Sequence, residues 1–526
     1  MKPQNKFQKA FCKLPDILFS LMMIGILFIC LFLSKMNSIR IYLGISEHNQ
    51  LLLLFVGIFF TGIIVCTFQK LRLLTHIKIN KVFFFGAFLI CFIFQLIATY
   101  HYYFTTDWDV GVVFGFSSAI AHKEDLSTFI GYFSRYPNNL VLSYVFASII
   151  KVVHHFGLHN YEYFSLIIVQ CFLNTITGLL IVSAIKQLFH NDVLCAIGYL
   201  CYFFLIGISP WVIVPYSDSM VLIFPVLILN IYLIKTKQAF GLPCVVKWFC
   251  IALLSYIGYK IKPQIIILFL GIVIAELYRS IVETGNYKLR LKQAMTYLLA
   301  IVIGFSTAMF LTNIMENHVP IELEAEQAFG PTHFFMMGMN PEAHGHYSGD
   351  DVLYSASFST VSERKRANIK TAFDRIKTMG RSGLMNQIIY KTLTNYDDGT
   401  FYWGGEGTFY TGILPEKNHY ISSFFRNLYY NRDCKGKYYS IWANFEQMIW
   451  LTVLFFAMLS GFFARDKRIT VVMITIIGLT LFELIFEARA RYLFAYVPLY
   501  IILAVCGIKF LLDKWDTHQE RKNAKQ

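Results

Sequence analysis

The sequence predicts an all-α polytopic membrane protein, on three observations. The chain of 526 residues is 56% hydrophobic and only 15% charged, with a mean hydropathy of +0.53. Apolar runs of about 20 residues recur along it, the length a helix needs to cross a bilayer. Lys and Arg gather in short connections and in both tails, as the positive-inside rule requires. That placement accounts for the net charge of +14, so no nucleic-acid partner is expected. Of the 11 cysteines only Cys434 falls in a long exposed segment, which excludes a disulfide framework, and no C-x-x-C metal site is present.

Taken in order, the first apolar run follows Lys2, Lys6, Lys9 and Lys13 and has no small-residue cleavage site after it. It reads as a retained signal-anchor. Spans are expected near 15–34, 50–68, 81–100, 138–154, 163–190, 194–212, 218–235, 246–260, 263–282, 293–314, 446–464, 468–486 and 491–513. Lys70, Arg72, Lys78 and Lys81 place the second connection inside, so 101–137 lies outside. Lys235 with Lys237, Arg279 with Lys288, Arg290 and Lys292, and Arg465 with Lys467 and Arg468 mark further inside loops. The long segment 315–445 is therefore outside, and the tail 514–526, with Lys514, Arg521, Lys522 and Lys525, is inside. The organisation follows: N-terminal spans over 1–100, an outside loop over 101–137, a membrane core over 138–314, outside segment 315–445 and last spans over 446–513. Thirteen runs disagree with two inside termini, which need an even number of crossings. The polar residues Asn174, Thr175, Thr177 and Gly178 make 163–190 the expected culprit, as two short helices or a re-entrant hairpin.

The first outside loop, TTDWDVGVVFGFSSAIAHKEDLSTFIGYFSRYPNN over 105–139, carries Asp107 and Asp109 at the exit of a span. A short amphipathic helix and a Tyr-Pro-Asn-Asn turn follow them. A carboxylate at a membrane surface can take a proton from an attacking hydroxyl, and acids at such positions are commonly functional. Two solvated loop acids are the plainer alternative. Asp218, in SPWVIVPYSDSM, is either a second acid that supports a metal or orients an acceptor, or a helix N-cap. Lys260 and Lys262, in YKIKPQ, interrupt apolar sequence before Pro263; they either meet an anion such as a lipid phosphate or snorkel to the surface. Glu487, Arg489 and Arg491 form EARARY at the outer end of the penultimate span, against the positive-inside trend. The arginine forks suit a phosphate, and a structural Glu–Arg pair is the alternative.

Segment 315–445 opens with Glu322, Glu324 and Glu326, then FGPTHFFMMGMNPEAHGHYSGDD. His333, His344 and His346 with Asp350 and Asp351 match no defined zinc spacing, so the loop is read as shaping a substrate pocket. A helix begins at the capping box of Thr360 and Glu363, with Ile369, Ala372, Phe373, Ile376 and Met379 on one face, and ends at Gly380. That face suits a membrane surface. The run YDDGTFYWGGEGTFY over 396–410 predicts loops or a short hairpin. Walker, Rossmann, zincin and nucleophile-elbow patterns are absent, which argues against ATP-driven transport and serine hydrolysis.

The order of these features resembles the GT-C membrane glycosyltransferases, in particular the bacterial branch similar to protein O-mannosyltransferases and the lipid A aminoarabinose transferase, glycosyltransferase family 39-like. The points of likeness are Asp107 and Asp109 in the first outside loop, YFSRYPNN with Arg135 and Tyr136, and Asp218 after a Ser-Pro-containing span. Lys262-Pro263 and the terminal EARARYLFAYVP complete the set. The phrases MGMNPEAHGHYSGDD and DDGTFYWGGEG are similar to a Gram-positive subgroup thought to modify cell-surface polymers. The resemblance implies a GT-C fold with about 12–14 spans and inverting transfer of a sugar from a polyprenyl-phosphate donor. The acceptor would be a cell-surface glycan, teichoic acid or protein, on the extracytoplasmic side of the plasma membrane. It implies Asp109 or Asp107 as general base, and Arg491, Arg489, Lys262 and Lys260 on the donor phosphate. Asp218 and Glu487 are expected to orient the acceptor, with Arg135, Tyr136, His333, Asp350 and Asp351 lining a pocket. No cofactor is certain; relatives with and without a divalent metal (Mg, Mn or Zn) leave that open. The rival functions are a flippase or carrier for lipid-linked glycans and a polysaccharide polymerase.

Overall fold

The structure, a computed structural model, describes residues 13–37, 49–75, 80–236, 241–282, 287–407, 410–431, 436–463 and 466–523. Lys2, Lys6, Lys9, Lys78, Lys237, Cys434, Arg465 and Lys525, read above as markers of orientation or exposure, lie outside these residues. The fold is all-α and polytopic: the described residues form 21 helices and one pair of short strands.

The N-terminal half comprises α1 (Leu14–Phe32), α2 (Gln50–Thr75), α3 (Lys81–Tyr102), β1 (Phe104–Thr106), α4 (Trp108–His122), α5 (Ile130–Arg135), α6 (Leu140–His155), α7 (Glu162–Phe189) and α8 (Asp192–Tyr202). Next come α9 (Ser217–Met220), α10 (Ile223–Leu233), α11 (Leu242–Ile261), α12 (Ile266–Val282) and α13 (Tyr287–Asn317). Segment 315–445 contributes α14 (Pro331–Gly338), α15 (Gly349–Ala356), α16 (Val361–Tyr396), β2 (Tyr410–Ile413) and α17 (His419–Tyr429). The chain closes with α18 (Tyr439–Phe463), α19 (Lys467–Ile485), α20 (Ala490–Phe494) and α21 (Val497–Asn523).

Among the described residues, nine helical stretches are long and apolar enough to cross a membrane, and Asp192–Gly207 and Ser217–Leu233 are shorter apolar ones. The expectation of a broken or re-entrant 163–190 is wrong. It is one helix of 28 residues, α7, about 42 Å long at 1.5 Å per residue. The donors of its polar middle find carbonyls inside the bundle. Thr175 and Thr177 donate to the carbonyls of Cys171 (2.6 Å) and Leu173 (2.9 Å), and Asn174 donates to that of Ile206 (3.1 Å). Gly178 sits where α8 crosses, and a Cβ there would lie 2.4 Å from the Tyr202 ring. We expect Gly178→Ala to cost about 1–3 kcal/mol through overpacking, read as a lowered Tm of the detergent-solubilised protein.

The run over 138–154, expected as a span, is not among those long and apolar stretches. As α6 it has 16 residues and packs lengthwise on α4. Tyr144 of α6 faces His318, just past the end of α13, at 6.3 Å, and His154 at its far end faces His122 of α4 at 4.7 Å. His122 is bonded to Glu162 at the start of α7 (2.7 Å). The end of α4 and both ends of α6 thus meet the ends of other helices, and the pair packs beside them.

Two further features order segments 101–137 and 315–445. β1 pairs antiparallel with β2, Phe104 opposite Ile413 and Thr106 opposite Tyr410, which ties the approach to Asp107 to segment 315–445. α16 starts at the expected cap, Thr360 Oγ1 accepting from the Glu363 amide (3.3 Å), and breaks at Gly380 with φ +59°. The Ala372 face of α16 packs on Met336 and Met339 of α14 rather than lying bare.

Candidate functional site

The site forms where four stretches widely separated in sequence meet: the start of α4, α9, the Lys262-Pro263 break and the segment between α19 and α20. Each is positioned by a local break in regular structure. Trp108 opens α4 with φ +59°, a left-handed conformation rarely adopted by a bulky residue and commonest at functional sites. Lys262 is extended (φ −147°, ψ 110°) because Pro263 disfavours a helical predecessor. Glu487 and Arg489 leave α19 in extended chain, Arg489 at φ −152° and ψ 130°. Lys391 of α16 secures that exit, donating to the carbonyls of Gly338 (3.0 Å), Leu484 (2.8 Å) and Phe486 (2.5 Å).

At the meeting point, Asp218 receives the Lys262 ammonium on Oδ1 and the Arg491 guanidinium on Oδ2 (2.5 Å). Both arginines also reach Glu406: Arg489 through Nη1 and Arg491 through Nε. Arg489 Nε donates to Glu487 Oε1 (2.7 Å), whose other oxygen accepts from the Tyr492 hydroxyl (3.1 Å). Asp218, Lys262, Glu406, Glu487 and Arg491 are all buried, and Arg489 is half-buried. Burial alone would raise the Glu487 carboxyl, yet Arg489 and Arg491 hold it below its usual range. Three cations and three acids balance one another.

Asp109 adds a fourth acid at the rim. It is half-buried and accepts from the Tyr216 hydroxyl at 3.3 Å. Aromatic rings line the space between it and the charges. The Arg491 guanidinium lies 4.6 Å from the Trp108 ring centroid and 5.1 Å from that of Tyr492, and Lys262 lies 4.4 Å over Tyr492. The buried indole N–H of Trp108 has no protein partner. Tyr136 borders the same space. Its phenol is pushed up by burial first, then by the charges of Asp109, Tyr347 and Glu487.

Several expected members stand apart. Asp107 is exposed and Lys260 pairs with Glu316 (2.5 Å) at the ends of α11 and α13, so neither joins the cluster. Lys260 is corrected accordingly: it is still helical, whereas the backbone two residues on is extended and turns Lys262 inward. Asp218 does not cap a helix: it lies in the first turn of α9, whose N-cap position is Tyr216, and its oxygens face cations. Asp351 is held by both Arg375 nitrogens (2.6 and 3.0 Å) and by Asn340 (3.0 Å), a structural tie between α15 and α16. Asp350 is exposed beside it, and His333 is buried against Ser355 (2.7 Å). The backbone carbonyl of Arg135 accepts from the Phe329 amide (3.0 Å), joining the first loop to segment 315–445. A divalent metal does not fit the central donor set, since Asp218, Glu406 and Glu487 are each committed to Arg or Lys.

Glu406, Trp108 and Tyr216 are site residues the sequence did not assign. Glu406 is reached through DDGTFYWGGEG, where Asp398 accepts from the amides of Thr400 (2.8 Å) and Tyr402 (3.0 Å) and holds Phe401 and Tyr402 at positive φ. A single acid among glycines was the available signal. Glu483, one turn before the cluster, is buried with neither carboxylate oxygen hydrogen-bonded.

His346 and His333 make the region acid-sensitive. Burial first, and for His346 then Arg489, pushes each imidazole down to about 4 from an ordinary 6.5. Each therefore folds neutral, and its contribution is complete above pH 6.5 and lost as the pH falls from 6.5 towards 4. We expect Tm to fall across that window, and His346→Gln to flatten the fall.

A family model described as conserved hypothetical integral membrane protein matches residues 7–510. No curated protein and no solved structure matches the chain.

Proposed function

We propose that this chain, which belongs to the conserved hypothetical integral membrane protein family, is a GT-C type glycosyltransferase. It moves a sugar from a polyprenyl-phosphate donor to a cell-surface acceptor on the extracytoplasmic face. The single observation that carries this reading is the convergence of Lys262, Arg489 and Arg491 beside the half-buried Asp109, at the start of α4, which packs on α6.

The chemistry follows from that pairing. Asp109 takes the proton of an acceptor hydroxyl as its oxygen bonds to the anomeric carbon, with inversion. The bond from that carbon to the phosphate oxygen breaks, and its electron pair leaves with the lipid phosphate. Arg489, the more open cation, and the edge of Arg491 meet the growing charge, while Asp218 and Glu487 keep the guanidinium planes aimed. The Trp108 and Tyr492 rings offer a flat apolar wall to a sugar. No nucleotide is required.

The test uses purified protein in vesicles with a panel of radiolabelled polyprenyl-phosphate sugars and cell-envelope acceptors. Label passing to acceptor with release of lipid phosphate supports the transferase. Intact donor moving across the bilayer, or label building into long chains, would hand the function to a carrier or a polymerase.

A further inference from the structure

A second constellation lies at the opposite end of α4, about 20 Å along the helix from Asp109. His122 ends α4, His154 stands in the last turn of α6, and Glu162 starts α7. One ligand atom from each of the three lies within 4.8 Å of the others. His122 Nε2 is 2.7 Å from Glu162 Oε1, and Ser118 fixes the other carboxylate oxygen with a bond of 3.1 Å. His159 is also present, its Nδ1 2.8 Å from Nδ1 of His154. Two basic ring nitrogens that close need a proton between them, or a cation that both can face.

We propose that His122, His154 and Glu162, with His159 as fourth donor, bind a divalent transition-metal cation of the zinc class. Imidazole nitrogens with one carboxylate are the donor set that zinc favours, and hard ions such as Mg²⁺ prefer oxygen alone. Three features prepare the site. Glu162 is buried yet oriented by Ser118, an outer partner of the kind that tunes metal ligands. The C-terminal ends of both α4 and α6 arrive there, and the negative ends of their dipoles favour a cation. His154 and His159 are exposed, which leaves a path for the ion to enter. Bound metal would staple α4 and α6 to the first turn of α7. The ion's role is structural, and the inference does not depend on the glycosyltransferase reading.

The experiment titrates Zn²⁺ into full-length, chelator-stripped protein in detergent by calorimetry, with Mg²⁺ in parallel, and records the Co²⁺ absorption spectrum. The expected result is one Zn²⁺ per chain, no matching Mg²⁺ binding, and an intense visible Co²⁺ band of a four-coordinate site. His154→Asn alters an exposed side chain, so it should stay monodisperse with an unchanged Tm in chelator; it should weaken Zn²⁺ by at least about 100-fold, since outer partners alone are worth 10–100-fold. Glu162→Gln should do the same. Absence of Zn²⁺ binding, or binding and a Co²⁺ band unaltered by His154→Asn, would overturn the site.

Discussion

Asp109→Asn is expected to lower sugar transfer by about 10²–10⁴-fold, the usual worth of a positioned general base, while Asp107→Asn stays near wild type. The difference rests on where the two carboxylates stand. Asp109 meets the Tyr216 hydroxyl beside the cation cluster, whereas Asp107 is exposed at the foot of α4. Asp109 makes no ion pair among the described residues, so the Asn variant should keep its fold and Tm. Incorporation of labelled sugar into cell envelopes, in cells carrying each variant as the sole copy, reads the effect. A dead Asp107→Asn with an active Asp109→Asn would reverse the assignment of the base.

Arg491→Met is expected to destabilise the protein by about 3–5 kcal/mol, because it leaves three buried acids to share the two cations Lys262 and Arg489. Arg491 serves both Asp218 and Glu406 and is 4% exposed. Lys at this position should not rescue, since one ammonium cannot span two carboxylates from a planar fork. The double variant Arg491→Met, Asp218→Asn should regain part of the loss, because two cations then face two acids again. Thermal unfolding of the solubilised variants measures both. Equal Tm for wild type and Arg491→Met would mean that the cluster is wet and loosely held.

Much of this arrangement is legible in the sequence, and the limits have physical causes. Length and apolarity mark the membrane helices, because no water in the bilayer core can satisfy an open backbone. They misjudge α6 and α7 in opposite directions. α6 is apolar enough to look like a span, but its apolar surface is used against α4; α7 looks broken by Asn174 and Thr175, but each finds a carbonyl inside the bundle. Charge out of place is the better guide to the site. Asp218, Lys262, Glu487, Arg489 and Arg491 all stand in or at the ends of apolar runs, and all of them meet. Lys260 fails the same test because two residues along a chain separate an inward side chain from one that reaches Glu316. Glu406 escapes notice because its partner Arg489 is 83 residues away, and nothing local in a Gly-rich loop announces the pairing.

The central claim is that the cation cluster holds the donor phosphate, and the most direct measurement is binding of free polyprenyl phosphate to purified protein. Ligand-dependent Tm shifts for wild type, Asp109→Asn and Arg489→Gln would report it, since a ligand that binds only the folded state raises stability with concentration. Arg489 is half-buried; in its absence Arg491 still holds Glu406, and Glu487 keeps the Tyr492 hydroxyl. The account predicts saturable stabilisation of wild type and Asp109→Asn and its loss in Arg489→Gln. Equal stabilisation of all three, or none in wild type, would contradict it.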